Sequence, residues 1–295
     1  MKTKYLILIP TLLTLAACQR MELEDPSSPR GEGGSGWTLT LQATKASDGT
    51  KALALDGNRL DAYWTDTEKV RVFKGGNFLG FLNVSPGPGA KPTFASLSGS
   101  GFGILSVNDR LTLMIPRDNW DYTGQSGTLE AIQTRFDYAV ATVSVTSVDA
   151  GTGTISTTHA SFDNQQSIYR FRFTAGAEPL DPRDFTISAA SGKLVQRVSY
   201  QDDSWTPAFG PLTVTPAAAP ADHSYYVSLR NDQTANDTYA FIATGADDAL
   251  YLGTQTVSGY VLHAPGKFIT ADAVTLSKPS FAPESDSPGA NPDIY

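Results

Sequence analysis

The sequence predicts an all-β protein built as two β-sandwich domains in series. Three observations carry that reading. Apolar residues recur with period two in many short runs, as in strands with one buried face. Turn residues separate the runs at short intervals, with 26 Gly and 18 Pro in 295 residues. Sustained i, i+3, i+4, i+7 periodicity, which would mark amphipathic helices, is hard to find. The length beyond residue 17 suffices for two ordinary cores without disulfide help.

The N-terminus is read first because it sets the compartment. Lys2 and Lys4 precede an apolar run from Tyr5 to Ala17, broken by Pro10 and ending in Leu15-Ala16-Ala17-Cys18. This is the layout of a secretory signal peptide over residues 1–17, too short for the roughly 20 apolar residues of a membrane span. The small-small-Cys ending resembles the bacterial lipobox, which implies cleavage before Cys18 and acylation of its thiol. The alternative is an ordinary signal followed by a chance cysteine. Cys18 is the one cysteine of the chain, so no disulfide can form within the monomer. Residues 18–36 read as a flexible tether, with Glu22, Glu24 and Asp25, then Pro26 to Pro29, then four glycines. Its early acidic residues resemble the surface-export signals of Bacteroidetes lipoproteins.

Strands follow in order. In Trp37 to Thr44, Leu39 and Leu41 share one face while Thr38, Thr40 and Gln42 share the other. Leu53 and Leu55 mark a short second strand, and Val70 and Val72 a third. Gly75-Gly76-Asn77 predicts a hairpin turn into Phe78 to Val84, and Ser85 to Gly89 is a loop. Leu111 to Ile115 is apolar enough for a central strand, stopped by Pro116. Val143, Val145, Ile155 and Phe162 close a first domain, 37–165. The second domain, 166–279, opens with Tyr169, Phe171 and Phe173 on one face and Arg170 and Arg172 on the other. Strands around Phe185, Val195 to Tyr200, Leu212 to Val214, Tyr225 to Leu229, Tyr239 to Ile242, Tyr251-Leu252 and Val274 to Leu276 complete it. Residues 280–295 form a tail whose prolines prevent pairing as an inner strand.

Chemistry-bearing patterns are sparse, and the chain reads as no enzyme. His159, His223 and His263 are far apart, and none belongs to a metal-binding pair on a helix. No serine has glycine at both −2 and +2, so the nucleophile elbow is absent. Gly99 to Gly103 is glycine-rich but does not link a strand to a helix, and Gly192-Lys193 and Gly266-Lys267 lack the hydroxyl residue of a phosphate loop. Asp202-Asp203, Asp247-Asp248 and the Asp181/Asp184 pair read as solvated turns. No catalytic residue, metal or cofactor is expected. The formal net charge of −8 argues against nucleic acid as a partner and against charge-driven membrane attachment. Attachment to a membrane surface is therefore expected from lipid on Cys18 rather than from charge. Trp120 and Tyr122, in a loop after Pro116, are the best binding candidates, because exposed loop aromatics stack on sugars or dock partners. The alternative is a loop packed onto its own sandwich.

Several motifs, in this order behind a lipobox, resemble the fimbrillins of Bacteroidales, the subunits of type V pili. They are Thr50-Lys51-Ala52-Leu53-Ala54-Leu55, Trp64 before Lys69 to Phe73, Asp121-Tyr122-Thr123-Gly124, Asp137-Tyr138-Ala139, Phe162 to Phe173, Pro265-Gly266-Lys267-Phe268, and Val274 to Lys278. The resemblance implies two tandem transthyretin-like sandwiches, export to the cell surface as a lipoprotein, and a structural or adhesive role in a fimbria, at the stalk, anchor or tip. It implies assembly with other fimbrial subunits by strand exchange, and contact with surface glycans or proteins of host or bacterium. A surface glycan-binding lipoprotein is the other reading. In the family a protease cuts after an Arg following the first strand, which then leaves. Here the removable strand would be Trp37 to Thr44, with Leu39 and Leu41 as core plugs. The family's Thr-Arg-Ala is matched by Thr50-Lys51-Ala52, with a second candidate at Thr44-Lys45-Ala46, so the candidate cut follows Lys51 or Lys45 rather than Arg.

Overall fold

The architecture comes from a computed structural model, described over residues 36–45, 53–56, 59–259, 266–270 and 272–280. Residues 1–35, which include Cys18, and Ala46, Lys51, Ala52, His263 and the tail after residue 280 lie outside the described residues. The described chain is mostly β, with a short helical segment from Leu129 to Phe136. Its first strands are β1 (Trp37–Lys45), β2 (Leu53–Asp56), β3 (Arg59–Ala62), β4 (Lys69–Lys74), β5 (Asn77–Pro86) and β6 (Phe94–Phe102). They are followed by β7 (Arg110–Ile115), β8 (Trp120–Asp121), a helical turn made of α1 (Leu129–Ala131) and a π-helical stretch (Ile132–Phe136), then β9 (Ala139–Asp149), β10 (Thr154–Thr157) and β11 (Ala160–Asn164).

Eight of these strands form one sheet, in the order β10-β1-β11-β9-β7-β4-β5-β6. Additional pairing of β1 with β6 closes that sheet on itself. The first core therefore lies inside a closed, barrel-like sheet, where the sequence predicts a sandwich of two sheets. It is filled by Leu39, Leu41, Val70, Val72, Leu82, Leu97, Leu111, Leu113, Val143, Ile155 and Phe162, each from the inward register of its strand. The predicted hairpin is present: Lys74 pairs with Asn77, and Gly75 and Gly76 both have positive φ, as a two-residue hairpin turn requires. Leu111 to Ile115 is central, paired on both sides, with β4 and β9.

The glycine-rich stretch is part of a strand. Gly99 and Gly101 lie within β6, whose Ala95 and Leu97 point inward while its serines face out. Gly99 is there because any Cβ would collide with the carbonyl oxygen of Phe81 on β5.

The second half comprises β12 (Ser167–Phe171), β13 (Phe173–Ala175), β14 (Glu178–Leu180), β15 (Asp184–Ala189), β16 (Val195–Gln201) and β17 (Ser204–Phe209). It continues with β18 (Leu212–Val214), β19 (Tyr225–Leu229), β20 (Asp237–Thr244), β21 (Leu250–Val257), β22 (Phe268–Thr270) and β23 (Val274–Leu276). The successive strands β12 and β13 pair with β19 and β22, then with β14 and β23. A separate four-stranded sheet runs β18-β15-β20-β21. Rings on β12 and β13 meet rings on β15 and β20: Phe173 contacts Phe185 and Phe241, and Tyr169 contacts Tyr239 edge-on. These aromatics make the second core.

The two cores do not divide cleanly at the expected boundary near residue 166. Residues 116–138, assigned from sequence to the first domain, put Trp120, Tyr122 and Tyr138 into the second core. Polar ties hold them there. Gln125 is buried and joins the Tyr122 carbonyl to the backbone of Ser228 on β19, and β8 pairs with β16. The halves also meet through Phe73, Met114 and Tyr200, with Phe78 and Trp205 packed alongside. At this seam Gly76 abuts the hairpin of β16 and β17: a Cβ would sit 2.7 Å from the Asp202 amide nitrogen, at a φ of +79°. Gly76→Ala is expected to lower stability by about 1–3 kcal/mol through backbone strain, read as a lower denaturation midpoint.

Candidate functional site

The first strand is the element with a distinctive position. On one side β1 pairs antiparallel with β6 from Trp37 to Thr44. On its other side it pairs in parallel, first with β10 through Thr38–Thr40 and then with β11 through Ala43–Lys45. Strands β10 and β11 are both secured to β9, so β1 is what joins β6 to them. Leu39, Leu41 and Ala43 are buried beneath it, and Trp37 packs half-buried at its start. Burying the two leucines contributes roughly 3–6 kcal/mol.

The C-terminal end of β1 carries a buried ion pair. Lys45 Nζ donates to both carboxylate oxygens of Glu68, at 3.0 and 2.9 Å, and to the Tyr63 carbonyl at 2.7 Å. It also lies 4.2 Å from the centre of the Trp64 ring. The Lys45 side chain has no exposed surface. Removed from water on all sides, the ammonium depends on this carboxylate, carbonyl and ring for its solvation. Glu68 in turn accepts from the Thr65 amide, which fixes the segment leading into β4.

This arrangement corrects one expectation. The candidate cut after Lys45 needs an accessible lysine, whereas Lys45 is the last residue of a paired strand with its side chain enclosed. A protease that must seat the lysine side chain cannot reach it while β1 is in place. The second candidate, Lys51-Ala52, lies outside the described residues, as does the lipidation candidate Cys18.

Trp120 and Tyr122 require a second correction. Both are buried, at 2% and 0% exposure. Trp120 lies 4.3 Å from the Trp205 ring and stacks on Tyr138, and Tyr122 meets Tyr138 edge-on. Burial pushes the Tyr122 hydroxyl well above its ordinary pKa. Neither ring can stack on an external ligand, so the loop is packed onto its own protein.

Other polar groups serve local structure. His159 Nε2 is 3.0 Å from Thr44 Oγ1, and His223 Nδ1 is 2.7 Å from Asp181. Asp202, Asp203 and Asp248 occupy turn positions with positive φ, and Asp247 pairs with Lys278. Among the described residues no group of three or more His, Cys, Asp or Glu is placed to hold a metal, and no helix is long and apolar enough to cross a membrane. Sequence reasoning missed Glu68, because its partner lies 23 residues away and only the closure of the sheet brings them together.

No known family profile matches the chain, and no curated protein matches it by sequence. Among solved structures it is similar to a candidate cell adhesion protein from Bacteroides ovatus, at 12% identity over 84% of this chain and 97% of that one, with a TM-score of 0.44. It is also similar to the tip fimbrial protein Mfa3 of Porphyromonas gingivalis, with a C-terminal truncation, at 12% identity over 74% and 81% of the two chains and a TM-score of 0.33. A candidate polysaccharide-binding protein from Bacteroides thetaiotaomicron is similar at 13% identity over 72% and 77%, with a TM-score of 0.32.

Proposed function

We propose that this protein is a structural and adhesive subunit of a cell-surface fimbria, anchored to the outer membrane through Cys18 and assembled with other subunits by exchange of β1. The two halves act as tandem domains, 37–165 and 166–279, with residues 116–138 lent to the second core. The single observation that supports strand exchange most is the place of β1. It is the first strand of the described chain, yet it completes a closed sheet. Its departure would leave β6 on one side and β10 with β11 on the other, both with unpaired backbone groups, above a trench emptied of Leu39 and Leu41. An incoming strand with the same alternation would satisfy both walls. The burial of Lys45 favours Lys51-Ala52 as the processing site.

N-terminal sequencing of the protein in purified surface fibres tests this. The expected start is Ala52. A blocked, acylated Cys18 throughout the fibre material would rule out exchange of β1.

A further inference from the structure

We infer that the groove between β4–β5 and the π-helical stretch binds an acidic saccharide, a pyranose bearing a carboxylate or sulfate. The inference supplies a ligand class for the adhesive role proposed above, but the binding itself does not depend on β1 leaving. The groove is open to solvent and offers about 630 Å³, inside the ~300–1,000 Å³ range of small-ligand pockets. Lys69 and Arg71 of β4 and Phe81 of β5 form one wall, Gln133 and Thr134 form the other, and Tyr63 lines it as well.

Three features select the ligand. The first is charge: within a chain of net charge −8, two cations line one concave surface. Glu68 lines the groove as well, but its carboxylate is bound to buried Lys45, and Asp118 lies 4.0 Å from Arg71. Lys69 is exposed and makes no ion pair among the described residues, so the groove keeps an uncompensated positive charge. The second is an aromatic surface held in place. Phe81 is 39% exposed, meets Phe78 edge-on at 5.0 Å, and has the Arg71 guanidinium 5.1 Å from its ring centre. Lys69 Nζ also lies 6.0 Å from the Phe81 ring centre, so the cations flank the ring, and its remaining exposed surface is an apolar patch for the C–H groups of a pyranose with little loss of freedom on binding. The third is the opposite wall, where Thr134, whose hydroxyl donates to the Glu130 and Ala131 carbonyls, presents its oxygen as an acceptor for a sugar hydroxyl. A nucleic acid would need a basic stripe, which two cations do not provide.

Calorimetric titration of the purified protein tests the site. Sialyllactose, an oligogalacturonate and a sulfated galactan oligomer are each compared with the neutral counterpart, with sodium sulfate as the control for a bare anion. At least one acidic saccharide is expected to bind about tenfold or more tightly than its neutral partner, and to weaken as salt screens the exposed charge. Lys69→Glu and Phe81→Ala, both at exposed positions and checked for folding by circular dichroism, are each expected to weaken binding about tenfold. Failure of all three acidic probes, equal binding of the neutral ones, sulfate alone binding as well as the sugars, or unchanged binding in both variants would overturn the site. None of these outcomes bears on the N-terminus of fibre subunits, so strand exchange is judged separately.

Discussion

Glu68→Ala is expected to destabilise the protein by about 3–5 kcal/mol, because it strands the Lys45 ammonium in the interior. The side chain of Lys45 is wholly enclosed, and without Glu68 its ammonium loses both carboxylate hydrogen bonds. The loss should appear in urea denaturation as a lower midpoint. The end of β1 should also become open to trypsin after Lys45, a bond protected in the parent. The double variant Lys45→Met with Glu68→Leu separates charge from packing. Replacing both partners with apolar groups removes the stranded charge, so this variant should be clearly more stable than Glu68→Ala. An unchanged midpoint in Glu68→Ala would refute the role of this pair in holding β1.

Trp120→Ala is expected to cost about 3–5 kcal/mol, the usual result of emptying a large buried aromatic site. Trp120 lies between Tyr138 and Trp205, with the Arg230 guanidinium 5.7 Å from its ring centre. Its removal should also loosen the pairing of β8 with β16, which ties residues 116–138 to the second half. Trp120→Phe should retain much of the stability, since a ring still fills most of the space. Wild-type stability in Trp120→Ala would mean that the ring is not part of the core.

The sequence made legible whatever depends on neighbours along the chain. Alternation placed Leu39, Leu41, Val70, Val72, Leu113 and Ile115 on inward faces, and these residues all lie in the first core. Tyr169, Phe171, Phe173, Leu229, Val274 and Leu276 lie in the second. The diglycine turn was equally local. What escaped depends on distant partners. The closure of β1 onto β6 joins residues about sixty positions apart, and no periodicity encodes it. Gly99 is required by the close approach of β5, which nothing near it in sequence announces. Trp120 and Tyr122 follow a proline in a polar stretch, so their local setting suggested a surface loop. The tie of the nearby Gln125 to Ser228, and the pairing with β16, both reaching partners far along the chain, carry them inside.

The position of β1 also determines how the protein responds to mechanical pulling. Tension entering from the N-terminal side at Gly36 runs along the axis of β1, while its ladder hydrogen bonds lie across that axis. The bonds to β6 on one flank and to β10 and β11 on the other are then loaded together in shear, rather than opened one by one from an end. At the far end of the strand, Lys45 is held to Glu68. A protein held this way resists a pull along the strand through many small interactions sharing one load.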